Sequence, residues 1–194
     1  MSDLSPTAAN ILCHARSLII AGGYSGFSYA DIADQVGIRK PSIHHHFPTK
    51  ADLVQVLIER YRKEAREGLA ELERHTPDPF LQLQSYIGYW QRCIQDATAP
   101  ICVCALLAGE LPLLPERVAI EVRAHFRDLS SWLASVLERG AQQGSFQLTS
   151  TPRIEAETFM ATVHGAMLSA RAYDEPEIFG LILEPAVSRL APGN

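Results

Sequence analysis

The chain has 194 residues, 47% of them hydrophobic and 20% charged, an ordinary globular composition and enough length to bury a real core. Met1-Ser-Asp-Leu-Ser-Pro6 carries no basic stretch followed by an apolar run, and nowhere do about 18 apolar residues run uninterrupted, so a cytoplasmic protein without membrane attachment is expected. Four cysteines in such a chain do not make a disulfide framework, and a net charge of −5 excludes a broadly basic surface. That charge is unevenly spread: residues 1–50 hold four Lys/Arg against three acids, and residues 51–194 hold 13 against 19. Arg39, Lys40 and Lys50 fall beside three histidines. Such a patch can hold phosphate if the acidic surplus lies beyond a Debye length of ~8 Å.

Proline and glycine divide the chain into stretches of helical period, with hardly any period-two alternation, which predicts an all-α protein. Ser5-Pro6 reads as an N-cap and first-turn pair, followed by an apolar stripe of Ile11, Leu12, Ala15, Leu18 and Ile19 that Gly22-Gly23 stops. Ser28-Tyr-Ala-Asp31 is a capping-box pattern; Ile32, Ala33 and Val36 follow on one face, and Gly37 suits a left-handed helix end. A further short helix starts near Arg39-Lys40-Pro41, carries Ser42 to His46 and ends at Phe47-Pro48. Thr49-Lys-Ala-Asp52 is a second capping signature, opening a long helix to about Arg74, ~37 Å at ~1.5 Å per residue. Beyond Thr76-Pro-Asp-Pro79, amphipathic segments are predicted at 79–97, 101–111, 115–142, 152–173 and 176–190.

Two short helices joined by a glycine turn and braced by a first helix make a helix-turn-helix. Gly23-Tyr24, Phe27-Ser28, Asp31-Ile32-Ala33, Val36-Gly37-Ile38, Lys40-Pro41-Ser42-Ile43, His46-Phe47 and Lys50-Ala51-Asp52-Leu53 together resemble the N-terminal module of the TetR family over about residues 8–58. The family commonly has Tyr where this chain has His44. The resemblance implies an N-terminal three-helix helix-turn-helix domain, residues 1–49, joined by a long helix to a C-terminal helical ligand-binding and dimerisation domain, residues 50–194. It further implies a repressor that binds a palindromic double-stranded DNA operator as a homodimer and lets go when a small-molecule effector binds. No cofactor is implied. Catalysis is not expected either: the chain lacks a Gly-rich phosphate loop, a G-x-S-x-G elbow, an H-E-x-x-H and a paired C-x-x-C.

The residue types fit DNA reading on their own account, because a recognition helix offers its first turns to base edges while flanking donors clamp phosphates. Arg39, Lys40, Pro41 and Ser42 open that helix, and His44 and His45 can donate to phosphate oxygens. Lys50 and Ser28 stand at helix starts, where free N–H groups and the dipole already favour an anion. Ile32, Ala33, Ile38, Ile43 and Phe47 are expected to form the core behind them. His44, His45 and His46 are not expected to share a metal ion, since successive helix positions point ~100° apart and zinc helices use i and i+4.

In the remainder, Tyr86, Trp90, Phe126, Phe159, His164 and Met167 recur at helical spacing, the residue types that line a site between helices or simply fill a core. His164 is either a ligand partner or a satisfied core histidine. The small residues Ala161, Gly165, Ala166 and Ala170 suit close helix approach, and on the resemblance they are expected at a two-fold interface. Cys102, also a candidate ligand-binding residue, and Cys104 precede Ala-Leu-Leu-Ala-Gly-Glu-Leu111, which resembles a Gly-Cys segment of some family members that sense electrophiles or oxidants, with Ile101 replacing the glycine. A thiol-based sensor is therefore the alternative function, against two buried cysteines acting as small hydrophobes.

Overall fold

A computed structural model describes residues 4–97 and 99–192, and among these no strand occurs. The helices are α1 (Pro6–Gly22), α2 (Tyr29–Val36), α3 (Lys40–His46), α4 (Lys50–His75), α5 (Pro79–Gln95), α6 (Val103–Ala108), α7 (Glu116–Gln142), α8 (Pro152–Tyr173) and α9 (Glu177–Ser188). Their starts follow local chemistry. The Ser5 hydroxyl accepts from the Ala8 N–H, the Asp78 carboxylate from Phe80 and the Thr151 hydroxyl from Ile154, each ahead of a proline that needs no partner for its missing N–H. The expected capping box at α2 is present, with both reciprocal bonds between Ser28 and residue Asp31.

The segment expected as a helix over 101–111 is shorter. α6 ends at Ala108, and Leu111–Leu113 turn once in a 3-10 geometry. Pro112 lacks an N–H and disfavours helical backbone at Leu111, which ends the α-helix early.

The chain forms two compact units. The first comprises Met1–Glu64 and Val103–His125. Here α1 packs on α2, α3 and α6, through the fully buried Ile11, Ala15 and Ile19. Ile32, Ala33, Ile43 and Phe47 are buried as expected, whereas Ile38, in the turn between α2 and α3, is only half-buried. Leu53, Val54, Leu57 and Ile58 add the buried face of α4. Each large aliphatic side chain withdrawn from water in this way contributes about 1.5–3 kcal/mol.

The second unit comprises Ala65–Cys102 and Phe126–Asn194. Within it α8 lies along α9, and α5 also touches α9. Its core includes Leu83, Leu133, Leu137, Val163, Met167 and Phe179. Arg139 ties the helices at the surface, donating to Glu73 at 2.9 Å and to Gln82 at 2.7 Å. Among the described residues, no helix is long and apolar enough to cross a membrane.

Candidate nucleic-acid interface and ligand site

The α2–α3 pair is set by three local features. Gly37 ends α2 at φ 74°, a left-handed conformation that costs a residue with a Cβ about 1–2 kcal/mol. Ile43 is fully buried beneath α3. The Tyr29 hydroxyl donates to the Phe47 carbonyl at 2.9 Å while its ring meets His44 edge-on, centroids 4.8 Å apart. These contacts turn one face of α3 outward. Arg39, Lys40, Pro41, His44 and His45 are exposed on it, with Ser42 half-buried.

Two of the expected contact residues already have local partners. His44 Nδ1 lies 3.1 Å from the Pro48 carbonyl, so that nitrogen carries the proton and donates it. Ser28 is exposed, but its hydroxyl donates to Asp31 at 2.8 Å and accepts from Ala30 at 3.1 Å. These hydrogen bonds from Ser28 hold the Asp31 carboxyl below the usual range. Lys50 stands apart from the α3 set. Its ammonium donates to the Phe27 carbonyl and sits 3.9 Å from the Phe27 ring centroid and 5.0 Å from that of Tyr24. Partial burial lowers its pKa, with Asp31 and Glu110 opposing.

Glu110, which looks like an ordinary surface acid in the sequence, is part of this unit's framework. Its carboxylate accepts the Tyr24 N–H at 3.0 and 3.2 Å, across 86 residues of chain. A Cβ at Gly23, where φ is 75°, would fall 2.1 Å from Glu110 Oε1. The α1–α2 loop is thus held by an anion through Tyr24 and by a cation through Phe27. Arg117 ties the start of α4 instead, donating to Asp52 and, at 2.9 Å, to the Thr49 hydroxyl.

All the expected ligand-binding residues fall within the second unit. Tyr86 and Trp90 lie on α5, Phe126 on α7, and Phe159, His164 and Met167 on α8, with Cys102 just before α6. Phe126 is half-buried and the others are buried. The Tyr86 ring packs against Trp132 at 5.6 Å, and Phe126 meets His164 edge-on at 5.2 Å. Burial is the main cause that raises the Tyr86 pKa; Cys102 adds to it, and the Trp90 indole, which can only donate, opposes it by a hydrogen bond to the hydroxyl oxygen. Trp132 Nε1 and His164 Nε2 are buried without a hydrogen-bond partner, and the Tyr86 O–H donates to nothing.

The small residues of α8 divide between two faces. Ala166 and Ala170 are buried within their own unit, whereas Ala161 and Gly165 are exposed. With Ala161 and Gly165 on that outer face lie Ile154 and Leu168, more than half exposed, and Leu181 of α9 is 62% exposed. Cys102 and Cys104 are 1% and 0% exposed, while Cys13 is exposed. Among the described residues no group of three His, Cys, Asp or Glu is placed to hold a metal ion.

An exposed helix with basic residues at its tip, mounted on a buried three-helix core and accompanied by a separate helical unit, defines a helix-turn-helix DNA-binding protein. Comparison with known proteins agrees. Residues 11–57 match the model for bacterial regulatory proteins of the tetR family, and residues 79–184 match the tetracyclin repressor-like C-terminal domain. The chain belongs to the TetR family of transcriptional regulators. A solved TetR-family regulator from Agrobacterium tumefaciens is 61% identical, over 96% of this chain and 98% of that one, with a TM-score of 0.94. The HTH-type transcriptional regulator CymR of Pseudomonas putida is 31% identical over 71 residues, 34% of this chain and 35% of that protein. A TetR regulator from Legionella pneumophila shares the fold at 23% identity, over 97% of this chain and 100% of that one, with a TM-score of 0.86.

Proposed function

We propose that this regulator is a cytoplasmic repressor that binds a palindromic operator as a homodimer and releases it when a small molecule enters the C-terminal part. The observation that carries the reading is the outward face of α3, where Arg39, Lys40, Pro41, His44 and His45 stand exposed over buried Ile43. A helix of this length reads few base pairs, so two copies spaced ~34–36 Å apart supply the specificity. Residues 1–49 act as the reader and residues 50–194 as the ligand-binding and dimerisation part. Ala161, Gly165 and Leu168 of α8, with Leu181 of α9, form the face that meets a second copy; Ala166 and Ala170 support it from inside. The effector favours one arrangement of α4 and so changes the spacing of the two α3 helices; a coupling of about 1–3 kcal/mol suffices.

Arg39 and Lys40 contact DNA directly in this reading. Lys50 serves by position, bracing the loop before α2 through Phe27. Mobility-shift titrations on DNA flanking the protein's own gene, at several salt concentrations, test both roles. Arg39→Ala and Lys40→Ala lower affinity, and whichever meets a phosphate flattens the salt dependence by about one unit of slope. Lys50→Ala lowers affinity with the slope unchanged. No shift for the unaltered protein at modest salt would remove the DNA-binding reading. The deep burial of Cys102 and Cys104 counts against a thiol sensor, because a reagent must first reach the sulfur.

A further inference from the structure

The effector site has chemistry that narrows what it takes. Among the described residues of the second unit, the buried polar side chains besides aromatics are Gln82, Ser130 and His164, and no Lys, Arg, Asp or Glu is buried. Gln82 is spent, donating to the Thr76 carbonyl at 2.6 Å and accepting from Arg139. So is Ser130, which donates to Glu157 at 2.8 Å. What remains is the Tyr86 O–H, which donates to nothing and has only the Trp90 indole beside it, with Trp132 Nε1 and His164 Nε2, both buried with no partner. Tyr86 is 7% exposed and His164 9%.

A buried donor left unpaired is costly, and folded chains leave few, so three on neighbouring helices need a reason. All three sit against rings: Tyr86 on Trp132, and His164 on Phe126, both of these rings on α7. An indole N–H can only donate, a phenol O–H donates or accepts, and an imidazole nitrogen does either according to tautomer. Their common complement is an oxygen acceptor on an otherwise apolar molecule. An anion would need a cation beside it when buried, and this interior offers none that is charged irrespective of pH. Resting on the effector reading above, we propose that the ligand is an uncharged aromatic molecule bearing an oxygen acceptor, held by Tyr86, Trp132 and His164 between α5, α7 and α8.

The chain's two tryptophans are Trp90 and Trp132, both in this cluster, so tryptophan fluorescence reports directly on occupancy. Three probes of one shape separate the possibilities: 4-tert-butylacetophenone, neutral with a carbonyl; 4-tert-butylbenzoate, an anion; and tert-butylbenzene, with no acceptor. Titrated into the full-length protein at pH 7.5, the ketone quenches fluorescence at a concentration at least about ten-fold lower than either other probe. Tyr86→Phe weakens the ketone by about three- to ten-fold, the worth of one hydrogen bond. That variant also melts close to the unaltered chain, because the O–H it removes donates to no protein group. Benzoate binding as well as the ketone, or no ketone binding up to millimolar concentration, would overturn the proposed class. Equal binding of tert-butylbenzene, or a Tyr86→Phe variant that melts lower while binding the ketone normally, would show that the polar atoms do not read the ligand. Operator release is followed in parallel: a benzoate that releases DNA sinks the class and keeps the effector reading. A ketone that binds yet leaves DNA bound keeps the class and sinks the coupling.

Discussion

At the scale of single residues, His44 is the position with the most specific chemical consequence. Its Nδ1 proton is committed to the Pro48 carbonyl, which leaves Nε2 of the neutral ring as an acceptor. An acceptor does not hold a phosphate, so the neutral ring serves α3 through its edge-on contact with Tyr29. His44→Phe keeps that contact and is expected to leave the salt dependence of operator affinity unchanged, measured by anisotropy. A flatter salt dependence would show that His44 meets a phosphate. Local sequence could locate this residue but not its tautomer, which depends on a carbonyl presented by the turn at Pro48. Glu110 was further out of reach: its partner is a backbone N–H in another helix connection, and nothing in the Leu-Ala-Gly-Glu-Leu stretch announces it.

At the scale of elements, the helix starts were legible because their causes are local. Serine, threonine or aspartate followed by proline, or by an acid three residues on, marks an N-terminus without help from the rest of the fold. Two of these caps make a pH prediction. Hydrogen bonds from Ser28 hold the Asp31 carboxyl low, and those from Thr49, with Arg117 nearby, do the same for Asp52. A carboxyl whose folded pKa lies below its unfolded value of about 3.9 stabilises fully above that value, and its contribution fades as pH falls through the folded pKa. Denaturant midpoints should thus drop on acidification below about pH 5, and less steeply in the Asp31→Asn, Asp52→Asn double variant. Identical slopes would mean that these caps play no part in acid unfolding.

The small-residue run of α8 shows where pattern reading fell short. Composition marked Ala161, Gly165, Ala166 and Ala170 as one set, yet at ~100° per residue Ala166 lies well round the helix from Ala161. Helical phase alone could have separated them. The two faces make different predictions. Gly165→Arg, at a position with open space around its Cα, keeps the monomer folded and prevents association at micromolar concentration. Ala166→Arg buries an unpaired charge inside the unit and lowers the melting temperature instead. Light scattering and thermal melts of both variants check this. A Gly165→Arg protein that still dimerises would take this face of α8 out of the interface.

For the whole molecule, each helix, the helix-turn-helix and the family were legible, since the reader's spacing is contiguous and its turn residues are chemically constrained. The proposed ligand class was not legible, because the site proposed for it draws on α5, α7 and α8, and unused donors become visible only once their surroundings are known. In the proposed function, two copies of α3 read two halves of one DNA site. Selection of duplexes from a random pool by the purified full-length protein, followed by sequencing, checks this. The expected result is an inverted repeat whose half-sites lie about 10–10.5 base pairs, or a multiple of that, apart. Enrichment of a single asymmetric half-site, or no enrichment at physiological salt, would rule out paired reading by two α3 helices.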